Sequence, residues 1–105
     1  SIMINYAQVA DEALQVYAAG VIGDDPTLDI QLKQSMMDDI IKSAHAYINK
    51  YLVASLTAEQ VVEFNDFLGT KPTDDDIVKF FVNHGVNVSQ VIFDALSKLK
   101  ESYQG

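Results

Sequence analysis

Between Thr27 and Ser55 apolar side chains recur every three or four residues, at Leu28, Leu32, Met36, Ile40, Ala44, Tyr47, Ile48, Tyr51 and Leu52, with no proline or glycine among them. On an α-helix of about 3.6 residues per turn this spacing stacks the side chains into one continuous stripe. Alternation with a period of two, as a half-buried strand requires, persists nowhere in the chain. Met37 and Ile41 widen the stripe to the breadth of a helix packed against several neighbours. A helix from about Thr27 to Ser55 would span on the order of 40 Å at about 1.5 Å per residue, so it is expected to be the spine of an all-α domain.

Punctuation divides the rest into four shorter helices. Asn5 is placed to cap a first helix from about Tyr6 to Ala19, ended by Gly20 and Gly23. Pro26 fits the first turn of the long helix, and Asp24 and Asp25 suit the positive end of its dipole. Thr57 and Gln60 have the spacing of a capping box, which predicts a third helix from about Ala58 to Leu68, stopping at Gly69. Thr73 would cap a fourth helix with Asp74, Asp75 and Asp76 in its first turn and Ile77, Phe80 and Phe81 on its buried side, ending at Gly85. Asn87 would cap a fifth, in which Val88, Val91, Ile92, Ala95, Leu96, Leu99 and Tyr103 form the apolar face. Connections this short fit a single compact bundle of about five helices and leave no linker between domains. With 105 residues, 49% of them hydrophobic, one core of useful size is affordable to the chain and disorder is disfavoured.

From about Leu28 to residue 104 the order of elements resembles a family of small bacterial helical domains with no assigned function. The residues that carry the resemblance are Leu56, Thr57, Ala58, Glu59 and Gln60 after the long helix, then Phe64, Leu68 and Phe80, and a closing helix through Lys98, Leu99, Lys100 and Tyr103. These are caps and core positions, so the resemblance implies a helical fold and no chemistry.

Charge narrows the possible partners. The formal net charge is −8, from 15 acidic and 7 basic residues, and every basic residue is lysine. Phosphate and guanine recognition draws on clustered cations and on the guanidinium fork, so nucleic acid is not an expected partner. No apolar run approaches the roughly 20 residues of a membrane-spanning helix, and no basic region precedes an apolar stretch at the start, so neither membrane nor secretory signal is expected and a cytoplasmic location is. Absent cysteine removes disulfides and thiolate chemistry.

The polar clusters offer little chemistry. Counted as calcium loops, residues from Asp24 place Pro26 and Leu28 at the third and fifth positions, and residues from Asp74 place Asp76 and Val78 there, with no glutamate at the twelfth in either. His45 and His84 lie on different helices, and a metal site joining them to Asp38 or Asp94 lacks any paired spacing on one helix face. Asp38 and Asp39 are adjacent and diverge by about 100° on a helix, which rules out a carboxylate dyad. No strained serine turn or glycine-rich phosphate loop is present. Neither catalysis nor a cofactor is therefore expected.

The first helix is apolar on two adjoining faces. Tyr6, Val9, Ala10, Ala13, Val16 and Tyr17 define one, Ala7, Leu14, Ala18 and Val21 the other. Such a helix is either the centre of its own bundle or a contact surface. The expected function is a non-enzymatic interaction domain, pairing as a homodimer or with another protein through Tyr6, Val9, Ala10, Leu14, Tyr17, Ala18 and Val21. The competing expectation is a small apolar ligand held between helices by Met36, Met37, Tyr47, Tyr51, Phe80 and Phe81, or a metal held by the histidines and aspartates.

Overall fold

A computed structural model describes the backbone of residues 6–104 and the side chains of residues 11–104. It contains five helices, α1 (Tyr6–Ile22), α2 (Ile30–Ala54), α3 (Ala58–Leu68), α4 (Asp74–Asn83) and α5 (Val88–Gln104), and no strand among the described residues. The all-α bundle with a long central helix is thus the observed architecture.

The caps explain where the elements begin and end. Thr57 accepts from the Gln60 amide at 3.2 Å while the Gln60 side chain accepts from the Thr57 amide at 3.0 Å, completing the capping box of α3. Thr73 and Asp76 repeat this at α4, at 3.1 and 3.3 Å. Asn87 accepts from the Gln90 amide at 3.2 Å, as its cap role at α5 requires. The Asn5 cap lies outside the described residues.

Two boundaries differ from the sequence expectation. The first helix runs through Gly20 to Ile22 and ends at Gly23, whose φ of 77° lets its amide reach the Ala19 carbonyl at 3.0 Å. The long helix starts at Ile30 rather than Thr27, because Asp29 is its cap and accepts from the Gln31 and Leu32 amides. Asp25 instead folds the preceding turn, accepting from the Thr27 hydroxyl at 2.6 Å and amide at 2.9 Å, and these bonds hold its carboxyl below the usual range. Pro26 belongs to that turn and not to a helix. At its other end α4 closes with Gly85 at φ 82°, the Val86 amide reaching back to the Phe81 carbonyl at 3.0 Å while Val86 packs on the cluster around Phe81.

The core has two parts joined along α2. Leu14, Ala44 and Leu99 form one, where α1, α2 and α5 meet. Leu52, Phe64 and Phe81 form the other, closed by α3 and α4 and reached by Val88 and Val91 from the start of α5. Ile48 packs against both. Leu99 of α5 meets Ala44 while Val91 meets the Leu52 cluster, so α5 runs antiparallel to α2. Leu14 meets Ala44 while Val21 and Ile22 lie by Met36 and Ile40, so α1 is antiparallel to α2 as well. The molecule measures 49 × 35 × 22 Å with a radius of gyration of 15.7 Å, against about 13 Å for a compact chain of this length.

Candidate interaction surface

Of the partner face expected on α1, the described residues divide between the chain's own core and its surface, and Ala13 and Val16 of the same helix are exposed. Leu14 and Ala18 are 3% and 0% exposed, within the chain's own core. Tyr17 is half-buried and its hydroxyl donates to the Leu96 carbonyl of α5 at 2.8 Å. Burial pushes the Tyr17 phenol above its usual range, and neighbouring Tyr103 adds to the shift. Val21 lines a cleft described below, and the side chains of Tyr6, Val9 and Ala10 lie outside the described residues. In the folded chain Leu14, packed with Ala44 of α2 and Leu99 of α5, and the buried Ala18 are not free to meet a partner.

Large apolar side chains are exposed on every helix, among them Val16 of α1, Val62 of α3, Val82 of α4 and Phe93 of α5, but the beginning of α2 gathers three of them, Ile30, Leu32 and Met36, within two turns. The ends of α1 and α5, at Ile22 and Tyr103, lie beside Met36 and Ile40, so the turns of α2 from Ile30 onward project beyond them. Ile40, Met36 and Leu32 occupy successive turns of one face, and their exposure climbs from 5% through 36% to 51% toward the helix start. Ile41, Met37 and Ile30 form the adjoining row, where Ile41 and Met37 are half-buried and Ile30 is 80% exposed. Both rows begin in the core and emerge from it as their neighbours run out. Where they emerge, Val21, Ile22, Met36, Asp39, Ile40 and Tyr103 line an open cleft of about 360 Å³. Asp39 forms no ion pair there among the described residues.

The residues of the expected ligand pocket are dispersed. Met36 lines the cleft at the start of α2, whereas Phe80 borders a second groove with Phe67, Asp76, Lys79, Asn83 and His84. Phe81 is buried, and Tyr47 stacks on Tyr51 along α2 with ring centres 6.3 Å apart. Met37 is half-buried. Met36 and Phe80 thus border separate clefts, while Tyr47 packs on the Leu14 cluster and Phe80 and Phe81 belong to the Leu52 cluster.

The two histidines are also apart. His45 is exposed, its Nε2 3.8 Å from Asp11. His84 caps α4 and binds through both ring nitrogens, Nδ1 2.7 Å from the Phe80 carbonyl and Nε2 2.8 Å from Glu63 of α3. Asp38 bonds Gln34 and Asp94 bonds Gln90, each one turn away on its own helix. No group of three or more His, Asp or Glu side chains able to hold a metal occurs among the described residues. No described helix is long and apolar enough to cross a membrane.

No protein-family model matches the chain, and no curated protein or solved structure matches it either. The resemblance carried by caps and core positions therefore brings no function with it.

Sequence reasoning placed Leu32, Met36 and Ile40 in the stripe of the spine without separating their covered from their uncovered ends. The signal was present in the lengths. The long helix expected over Thr27 to Ser55 is about twice as long as the first helix expected over Tyr6 to Ala19, so that helix cannot cover the stripe along its whole length.

Proposed function

We propose that the chain is a non-enzymatic helical interaction domain that pairs with a second copy of itself through the end of the bundle where α2 outruns α1 and α5. The observation that carries this reading is the emergence of two apolar rows of α2, ending at Leu32 and Ile30, into solvent. Full burial of such a side chain contributes roughly 1.5 to 3 kcal/mol, of which the isolated chain forgoes most at Ile30 and part at Leu32. The projecting turns and the cleft beside them lie at the same end, so a two-fold arrangement sets the apolar turns of each copy against the cleft of the other.

The chain exposes 7412 Å² in all. A standard interface hides about 800 Å² on each side. The non-enzymatic part of the reading draws on His84, whose two ring nitrogens are both engaged, leaving neither free to take a proton from a nucleophile. The acidic, arginine-free composition disfavours nucleic acid and anionic lipid as partners.

The test is mass by light scattering together with melting temperature across a range of about 1 μM to 1 mM. The expected result is a dimer whose melting temperature rises with concentration. Leu32→Glu and Met36→Glu are expected to give monomers of unchanged helical content. A wild-type monomer at the highest concentration, with a melting temperature independent of concentration, overturns self-pairing and leaves the face to a different protein.

A further inference from the structure

α3 and α4 pack ring on ring, with Phe64 5.2 Å from Phe80 and 5.0 Å from Phe81 between ring centres. Phe64 is the buried side chain of α3, so this helix is held to the molecule by a narrow apolar seam. One ion pair crosses the seam, from Glu63 of α3 to His84 at the end of α4, 2.8 Å long. The imidazole also lies flat over Phe80, with ring centres 3.9 Å apart and planes 23° from parallel.

Both ring nitrogens face oxygens that only accept: the Phe80 carbonyl at 2.7 Å and the Glu63 carboxylate at 2.8 Å. A neutral imidazole carries one N–H and would aim a lone pair at one of these oxygens. The imidazolium satisfies both, so the geometry belongs to the charged ring. We propose that Glu63 and His84 form a proton-operated latch, which ties α3 to α4 while the imidazole is charged and releases the tie as pH rises. Release leaves α3 held by Phe64 and its neighbours, and loosens the groove floored by Phe67 and Phe80.

The direction follows from linkage. The Glu63 bond, then the Phe80 carbonyl, raise the His84 pKa above its ordinary 6.5. A histidine whose folded value is raised contributes stability that is fully present below the unfolded value and lost as pH climbs through the folded one. Asp76 and Lys79 of α4 line the groove beside His84; Asp76 serves the Thr73 capping box. Among the described residues no charged side chain of α1, α2 or α5 bonds or ion-pairs with His84.

The experiment follows the two histidine ring signals by proton NMR through a pH titration of the whole chain. Amide exchange of α3 is measured alongside at about pH 5.5 and about pH 8, corrected for intrinsic rates. The expected result is a His84 midpoint above 6.5. Protection across α3 should fall by about threefold or more at the higher pH, with α2 and α5 unmoved. Glu63→Gln should lower the midpoint and flatten the response. His84→Gln, which keeps a donor toward Glu63 without a titration, should show no pH response even if the first variant folds poorly. A midpoint at or below 6.5, α3 protection that ignores pH in the wild type, or an undiminished response in His84→Gln overturns the latch.

Discussion

Lys71 has φ of 57°, a left-handed backbone in a residue with a Cβ, whereas Gly69 two positions earlier has φ of −62° and stays in the helical region. The sequence points to Gly69 as the stop of α3, yet the chain uses its freedom elsewhere. The Gly69 amide still reaches the Asn65 and Asp66 carbonyls, the Thr70 and Lys71 amides reach those of Phe67 and Leu68, and the reversal falls on Lys71 just before Pro72. For an L-residue that conformation costs about 1 to 2 kcal/mol, part of which glycine returns as chain entropy. Lys71→Gly should therefore stabilise the fold by about 0.5 to 1 kcal/mol, read as a higher urea midpoint at unchanged slope. No spacing rule reveals this residue, because the turn is set by how α4 must enter to bring Phe80 and Phe81 over Phe64.

At the scale of elements, caps were legible and boundaries less so. The boxes at Thr57 and Thr73 and the cap at Asn87 are local chemistry within four residues, so the sequence displays them whole. The start of α2 is different, since Asp24, Asp25 and Asp29 all offer a capping carboxylate and only folding selects Asp29. Gly20 reads as a helix end but lies within α1, and open space surrounds the position where a Cβ would stand. Gly20→Ala should then stabilise α1 by about 0.5 to 1 kcal/mol, visible as a raised melting temperature. Gly23, with its φ of 77°, carries the actual stop and should not tolerate the same change.

For the molecule as a whole, the two apolar surfaces of interest respond to opposite experiments. Leu14→Asp places a carboxylate among Leu14's partners Ala44 and Leu99 and is expected to unfold the chain, with loss of helical circular dichroism at all concentrations. Leu32→Glu alters a half-exposed turn and is expected to leave that signal intact while changing only association. A chain that unfolds with Leu32→Glu, or that stays folded with Leu14→Asp, contradicts this assignment of inner and outer faces. The sequence by itself determined the helical class, the five elements, most caps and the apolar stripe of the spine, because each follows from spacing and hydrogen bonding within a turn or two. Tertiary structure alone decided which parts of that stripe meet another helix, that Leu14 and Ala18 of α1 turn inward, and that His84 finds Glu63. Those outcomes depend on relative helix lengths and on contacts between residues far apart in the chain, which no local pattern encodes.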